Sequence, residues 1–486
     1  MKKLILISLL LFMKVNTLTS HQQEKYFSNL VQELHKDYSK YKVTQIQTRR
    51  FEINDYHRIL DSLLEEGKEI FNVKKIGSSF KGRDIKLIKF GEGKIKILMW
   101  SQMHGDESTA SLALLDLINL LKKRKDLSDE LKSKISLFII PILNPDGASE
   151  FERRNYQEID INRDALRLQT PEGRILKKVR DEIQPDFAFN LHDQYANNSV
   201  GRTGSPAAIA LLSPAYDYDR NINEVRERAI KVCVEIKDII EKFYPSVVAR
   251  YDDEFEPRAF GDNFQKWGSS TILIESGGYF NDFEKQEIRK MNFLALAGSI
   301  YSIANQLYQK KSTDAYFEIP ENQRLFFDLL VKNVTVKKDS IEYIVDIGIN
   351  YSEKYDSLRG KYIKVYTITD IGDLSTFYGF DTLDAKNLKF EFGEVYEEIL
   401  NEFKQIENLD LKFLIQNGYT TIIYQGNFDK VKEDSLLDRM ISTTKSPLRE
   451  PKKLLGHSAN FILKDENGKV HYAVINGRVY EPNKIH

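Results

Sequence analysis

Cysteine is almost absent from this chain of 486 residues, in which Cys233 is the only one. A single cysteine excludes an intrachain disulfide framework, so the folded chain has to be stabilised without cross-links. Cys233 lies in a stretch, residues 229–234, whose apolar spacing is typical of a helix. That setting favours a buried core residue over a catalytic thiol.

The chain also has almost no net charge. The chain carries 71 Lys and Arg against 72 Asp and Glu, a formal net charge of −1. With no basic cluster, there is no electrostatic case for a nucleic-acid partner. A hydrophobic content of 41% with 29% charged residues is that of an ordinary globular protein, and the length predicts two or three domains.

Long apolar runs are missing as well, since none after the amino terminus reaches the eighteen or so residues that span a membrane. The amino terminus itself has a charged start, Met1-Lys2-Lys3, an apolar run over residues 4–13 and a polar stretch to Ser20. This pattern predicts a signal peptide over residues 1–20 and an exported protein, periplasmic or secreted, without stable membrane insertion. No cysteine follows that could carry a lipid anchor.

Histidine is scarce too, and only His104 and His192 lie between His57 and His457. With Glu107, His104 forms a His-x-x-Glu pair. Such a pair with one distant histidine is the ligand set of an open, catalytic zinc site, which leaves the fourth position vacant. A single histidine after a strand is more often structural, so the neighbouring sequence has to indicate whether His104 and His192 bind a metal.

Four apolar runs surround these histidines in the sequence, and each ends in a polar, chemically capable residue. The runs are residues 95–100, 137–143, 187–191 and 271–274, and they lead to His104, Asn144, His192 and Glu275 respectively. Continuous apolar runs of this length are typical of strands covered on both faces. Helical patterns separate them, so we predict an α/β fold with a mixed, mostly parallel central sheet. Sites in such sheets form at the carboxyl ends of the strands.

The order of the polar motifs carries a resemblance. In chain order they are His104-x-x-Glu107, Asn144-Pro145-Asp146-Gly147, Arg153-Arg154-Asn155, Asp160-x-Asn162-Arg163, His192 and a strand ending in Glu275. This series resembles the zinc carboxypeptidase family, the carboxypeptidase A-like metallopeptidases, over about residues 50–305. Residues 77–85 resemble the early hairpin of that family.

The resemblance implies a role for each motif. One zinc ion would be held by His104, Glu107 and His192, and Glu275 would be the general base. By itself, a glutamate at a strand end could equally cap a helix or pair with a cation.

Other motifs would handle the substrate. Arg153 would stabilise the oxyanion, although the sequence leaves open whether Arg153 or Arg154 faces the site. Asn162 and Arg163 would dock the terminal carboxylate of a peptide substrate, and Asp160 would accept the spare imidazole proton of His104.

The chain also departs from the family pattern. Asp106 stands where digestive members carry a substrate-binding arginine, which should alter preference upstream of the scissile bond. The mobile tyrosine of the family has a candidate in Tyr251, but the alignment there is open. The interval between Glu107 and His192 is shorter than in digestive members, so the side-chain preference at the cleaved residue cannot be carried over.

The remaining segments complete the predicted organisation. Residues 21–50 form an N-terminal extension, 51–308 the catalytic domain, 309–322 a linker and 323–486 a β-rich C-terminal domain. Within the last, residues 395–405 have a helical pattern, and Asn467-Gly468 between two strands predicts a hairpin.

The sequence leaves three functions open. The leading one is a zinc metallocarboxypeptidase that hydrolyses the C-terminal peptide bond of peptides. The first alternative is a zinc-dependent amidase or peptidase acting on cell-wall (murein) peptides, which keeps every site residue. The second is a non-catalytic peptide-binding module, against which the joint presence of three ligands, Glu275 and Arg153 argues.

Overall fold

The structure, a computed structural model, describes residues 20–443 and 453–485. The chain divides after Gln323 into two compact units, Met1–Gln323 and Arg324–His486. Apart from Ser20, the predicted signal peptide lies outside the described residues. Within the described ranges, no helix combines the length and apolar character needed to cross a bilayer.

The first unit is built on an eight-stranded mixed sheet. Its strands are β1 Phe71–Ser78, β2 Asp84–Phe90, β3 Ile95–Ser101, β4 Ile135–Ile140, β5 Phe187–Asp193, β7 Ile209–Leu212, β8 Val248–Arg250 and β9 Ser270–Ser276, while the short β6 Ser199–Val200 lies outside this sheet. Their order is β1-β2-β4-β3-β5-β9-β7-β8. The four consecutive strands β4, β3, β5 and β9 run parallel, whereas β1/β2, β2/β4 and β7/β9 are antiparallel pairs. The predicted sheet and the early hairpin, β1/β2, are therefore confirmed.

Both faces of the central strands are covered, which explains their continuous apolar sequence. Along β3, Ile97 and Met99 belong to one buried core, whereas Leu98 and Trp100 belong to another. The helices of this unit are α1 Ser20–Lys36, α2 Tyr38–Tyr41, α3 Ile53–Glu66, α4 Thr109–Lys123, α5 Lys125–Lys132, α6 Pro145–Glu150, α7 Pro171–Ile183, α8 Glu224–Glu241, α9 Phe260–Lys266, α10 Gln286–Ala304 and α11 Asp314–Phe317. Cys233 lies in α8 and is fully buried, as its pattern predicts.

The turn after β3 is tightly constrained. Gln102 is buried with a left-handed φ of 50°, and its Nε2 donates to the Gly105 carbonyl at 2.8 Å. A Cβ atom on Gly105 would lie 2.0 Å from the carbonyl carbon of Gly147, so only glycine allows the loops after β3 and β4 to touch. This packing fixes the path of the backbone through His104.

The N-terminal extension is an integral part of the first unit. Leu30, Val31 and Leu34 of α1 are buried in its main core. A fully buried ion pair holds the next segment, because Arg289 Nε donates to Asp116 Oδ2 at 2.7 Å and Asp116 Oδ1 accepts from the Val43 amide at 2.7 Å. Residues 20–46 are thereby joined to α4 and α10.

Residues 309–322, predicted to be a linker, are instead folded into the first unit. Tyr316 of α11 is completely buried, and its hydroxyl accepts a hydrogen bond from the Ser213 amide at 3.0 Å. Strand β10, Asn322–Gln323, pairs antiparallel with β6. The polar stretch before Tyr316 suggests a linker, but the burial of the Tyr316 side chain fixes this segment against the first unit.

The second unit is rich in β structure, as predicted. Its strands are β11 Phe326–Lys338, β12 Ile341–Asp356, β13 Lys361–Gly372, β14 Tyr378–Asp384, β15 Lys389–Phe392, β16 Glu394–Leu400, β17 Tyr419–Tyr424, β18 Ile441–Ser442, β19 Phe461–Lys464, β20 Val470–Ile475 and β21 Arg478–Tyr480. Short helices are α12 Phe403–Glu407, α13 Leu411–Gln416 and α14 Leu436–Met440. The larger sheet has the order β13-β12-β11-β15-β19-β20-β21, with β14 also paired to β11, and the smaller one is β16-β17-β18.

Two local predictions in this unit have different outcomes. Strands β19 and β20 pair antiparallel on either side of Asn467-Gly468, which confirms the hairpin. The helix predicted over residues 395–405 is wrong up to Leu400, because β16 occupies that part and pairs parallel with β17, and only the end of the stretch, from Phe403, is helical.

Candidate metal centre

The sheet order brings the predicted site residues to one edge. Strands β3, β5 and β9 are parallel neighbours, so their carboxyl ends lie side by side. In the β5/β9 register His192 is the partner of Glu275, and Ser101 of β3, three residues before His104, pairs with Leu191. Residues far apart in the chain therefore meet where an α/β sheet forms its sites.

Three buried side chains converge there, those of His104, Glu107 and His192. The Nδ1 atom of His104 lies 2.7 Å from Glu107 Oε1, and the Nδ1 atom of His192 lies 2.7 Å from Glu107 Oε2. The two Nδ1 atoms are 3.1 Å apart. Among the described residues, these three side chains are the only group of this kind whose ligand atoms all lie within 4.8 Å of one another.

The donor set fits a zinc ion. Two nitrogen ligands at 2.0–2.1 Å in a tetrahedral site are about 3.3 Å apart, close to the observed separation of the Nδ1 atoms. The other nitrogen of His104, Nε2, lies 2.9 Å from Asp160 Oδ1, which assigns its proton to Nε2 and leaves Nδ1 as a free ligand atom. Burial acts to raise the pKa of Glu107, but His104 and His192 together hold it below its usual range, so the carboxylate stays ionised.

Arg153 is the arginine that faces this centre. Its Nη1 donates to Glu107 Oε1 at 3.0 Å, and its Nη2 donates to Asp160 Oδ2 at 3.1 Å. Arg154 points elsewhere and donates to the Glu158 carbonyl at 2.7 Å. The question that the sequence left open between the two arginines is thus decided by their contacts.

Asn162 and Arg163 lie in a single turn of 3-10 helix, Ile161–Arg163, next to the ligands. The side chain of Asp160 caps this turn, because it accepts a hydrogen bond from the Asn162 backbone amide at 2.9 Å. Asn162 Oδ1 in turn accepts a hydrogen bond from the Phe260 backbone amide at 2.9 Å. Asp160 therefore orients both the imidazole of His104 and the turn Ile161–Arg163.

A carboxylate that the sequence did not single out accompanies Arg163. Glu256 Oε2 lies 3.3 Å from Arg163 Nε, and Glu256 also accepts from Arg258 Nη2 at 2.8 Å. Nη1 of Arg163 donates to the carbonyl of Asn162 at 2.8 Å. Glu256 thus contacts Arg163 through Nε.

Glu275 is buried beside the ligands. Burial and the negative charge of Glu107 raise the pKa of Glu275 well above its ordinary value. The negative charge of Glu275, together with burial, raises the pKa of Tyr251 to about 12. Tyr251, whose alignment with the family is open, directly follows β8 of the main sheet.

Asp106, the departure from the family pattern, is partly buried between His104 and Glu107 in the chain. Burial and the charge of Glu107 raise its pKa to about 6. Its Oδ1 atom is buried and has no hydrogen-bond partner among the described residues.

The centre also contains two residues that sequence reasoning missed. Asp193 follows His192 directly, and its amide donates to Glu107 Oε2 at 3.1 Å. Lys285 donates from Nζ to Asp193 Oδ2 at 3.1 Å. The position of Asp193 after a ligand was a usable signal, whereas nothing in the sequence near Lys285 pointed to the site.

Part of the chain is similar to known carboxypeptidases. The family model described as zinc carboxypeptidase matches residues 56–199, which include His104, Glu107 and His192. Carboxypeptidase 2 of Trichophyton rubrum is 27% identical over 139 residues, 28% of this chain and 26% of the relative. Carboxypeptidase B of Astacus astacus is 25% identical over 195 residues, 38% of this chain and 58% of the relative.

The chain thus spans about a quarter of the length of the first curated relative and over half of the second. A solved metallo-carboxypeptidase from Burkholderia cenocepacia aligns over 52% of this chain and 68% of that chain, at 15% identity and a TM-score of 0.42. The matched segment contains the three side chains that could hold a metal ion. Over residues 56–199, within the first unit, this chain is similar to the zinc carboxypeptidase family.

Proposed function

We propose that the first unit is a zinc-dependent carboxypeptidase that removes the C-terminal residue of peptides. The observation that carries the proposal is the convergence of His104, Glu107 and His192 beside Glu275 at one edge of the sheet. Three ligands and an adjacent carboxylate are what metal-assisted hydrolysis requires.

In this proposal His104, Glu107 and His192 hold the metal. A zinc ion bound there would polarise the scissile carbonyl and lower the pKa of a water molecule. Asp160 keeps the His104 proton on Nε2, so that Nδ1 faces the ligand group. One metal per chain is expected.

Glu275 acts as the general base. It takes a proton from the attacking water and returns it to the amine of the leaving residue. Burial and the charge of Glu107 raise the pKa of Glu275 above its ordinary value, which makes its carboxylate a stronger proton acceptor.

Arg153 stabilises the negative charge that develops on the carbonyl oxygen. Its side chain is about half exposed, and it is held toward the ligands by Glu107 and Asp160. A guanidinium fixed in advance stabilises that charge without having to reorganise during the reaction.

Arg163, with Asn162, binds the terminal carboxylate of the substrate. Glu256 lies 3.3 Å from Arg163 Nε and the Asn162 carbonyl accepts from Nη1, so a substrate carboxylate would bind mainly at Nη2 of the planar guanidinium. This contact selects the end of a peptide chain over its interior.

Arg163→Ala should lower kcat/KM on a peptide with a free C-terminal carboxylate by about one to two decades, because a charged hydrogen bond contributes roughly 1.5 to 3 kcal/mol. On the same peptide with an amidated C-terminus the substitution should have almost no effect. The losses from amidation and from the substitution should therefore not add. Steady-state kinetics on the two peptides measures this.

The exposed Arg167, four residues further on, provides the matched control. Arg167→Ala should retain the preference for the free acid. Equal rates of the unmutated protein on acid and amide would contradict carboxypeptidase activity, and cleavage of murein peptides alone would favour the cell-wall alternative.

We also propose that the protein is exported, periplasmic or secreted. The support is the charged start and apolar run over residues 1–13 of the sequence.

A further inference from the structure

The ammonium group of Lys285 is buried between the ends of two strands of the site. Its Nζ donates to Asp193 Oδ2 at 3.1 Å and to the carbonyl of Ser276 at 2.9 Å. Asp193 is the last residue of β5 and directly follows His192, whereas Ser276 is the last residue of β9 and directly follows Glu275. One cation thus joins the strand that carries a ligand to the strand that carries the base.

Asp193 extends this connection to the start of α4, which follows β3 and Glu107 in the chain. Its Oδ2 accepts from Thr109 Oγ1 at 2.5 Å, two residues after Glu107. Its backbone amide donates to Glu107 Oε2, the oxygen that also faces His192 Nδ1. The orientation of the Glu107 carboxylate therefore depends on where Asp193 lies.

Stability alone explains this ion pair poorly. The side chains of Lys285 and Asp193 are only 9% and 7% exposed, so both charges are largely removed from water. Apolar residues in place of a buried ion pair are often neutral or stabilising. Lys285 also has a left-handed φ of 51°, a conformation that non-glycine residues adopt at a cost.

We propose that Lys285 is a positioning residue, which acts through Asp193 and Ser276 to hold Glu107 and Glu275 in register at the metal centre. The inference rests on the proposed function for its kinetic consequence. Its structural consequence, the orientation of Glu107, does not depend on which substrate is cleaved.

Lys285→Met, which keeps the length of the side chain and removes its charge, should lower kcat by about 10- to 100-fold, the usual loss when a partner of a metal ligand is removed. KM should change by less than about threefold, because Lys285 does not face the substrate carboxylate. The visible absorption of the Co²⁺-loaded protein should change as well, since it reports ligand geometry. Lys285→Arg should recover most of kcat and the original spectrum.

Lys290→Met is the matched control, the same substitution five residues later on α10, where the Lys290 ammonium group lies over the ring of Tyr38. It should leave kcat and the Co²⁺ spectrum as they are. If Lys285→Met does not fold, Asp193→Asn replaces it, because it keeps the shape of the side chain and should give the same two changes. When both variants fold, the double variant should be no worse than the more severe single one.

Folded Lys285→Met with an unchanged kcat and an unchanged Co²⁺ spectrum would overturn the inference. A lower melting temperature with neither change would also overturn it, since that is the result of a purely structural role. If the unmutated protein cleaves no peptide, the proposed function fails, while the Co²⁺ comparison still decides the place of Lys285.

Discussion

Glu275→Gln should lower kcat by about 10²- to 10⁴-fold while the protein keeps its zinc. Glutamine has the shape of glutamate and can still donate and accept hydrogen bonds, but it cannot take the proton of the attacking water. Glu275 is paired in register with His192 and is not one of the three ligands, so the metal should stay bound. The measurement combines steady-state kinetics with zinc content per chain.

Glu182→Gln, the same substitution on the exposed surface of α7, serves as the control and should keep normal turnover. Near-normal turnover in Glu275→Gln would mean that another group activates the water. Loss of zinc from Glu275→Gln would instead mean that Glu275 belongs to the ligand set.

Removal of the two histidines of the candidate metal centre should lower turnover at least as strongly as Glu275→Gln. The double variant His104→Ala/His192→Ala should bind far less than one zinc per chain and should show no turnover, because Glu107 alone cannot form a three-ligand site. Metal binding also stabilises the fold that contains the site, by about 4.1 kcal/mol at a thousandfold excess over Kd. The thermal transition of the first unit should therefore fall on chelation, whereas the second unit should stay folded.

His57→Ala is the control for this experiment, since His57 lies in α3 and outside the ligand group. It should keep both zinc and turnover. Equimolar zinc retained by the double histidine variant would exclude the assigned ligands.

Much of this site could be predicted from the sequence because it depends on local patterns. Strands covered on both faces are apolar along their whole length, so β3, β4, β5 and β9 stand out as runs that end in polar residues. Parallel strands bring those ends together, and His104 with Glu107 needs only one turn of backbone. The ligand positions therefore follow from spacing and sheet order.

The partners of these residues could not be predicted, because they depend on pairing across long stretches of chain. Lys285 reaches Asp193 from 92 residues away, and Glu256 meets Arg163 across a comparable interval. The sequence does not show whether a given lysine is buried or exposed. The burial of Lys285 depends on how the loop before α10 packs in the folded protein.

Tertiary pairing also overrides local patterns in the second unit. Val395, Tyr396, Ile399 and Leu400 have a helical spacing, yet this stretch forms β16. In the register, Val395 pairs with Thr421 and Leu400 with Tyr424, with irregularities between them. These irregularities distort the period-two alternation that identifies a strand, so the sequence pattern indicates a helix there.

The measurement that tests the central proposal most directly is mass spectrometry of the products from one unmodified peptide, incubated with the metal-replete protein. The proposed carboxypeptidase should release the C-terminal amino acid and leave a peptide shorter by one residue, and chelation should stop the reaction. A cut within the peptide, or an intact peptide with zinc bound at His104, Glu107 and His192, would contradict the proposal.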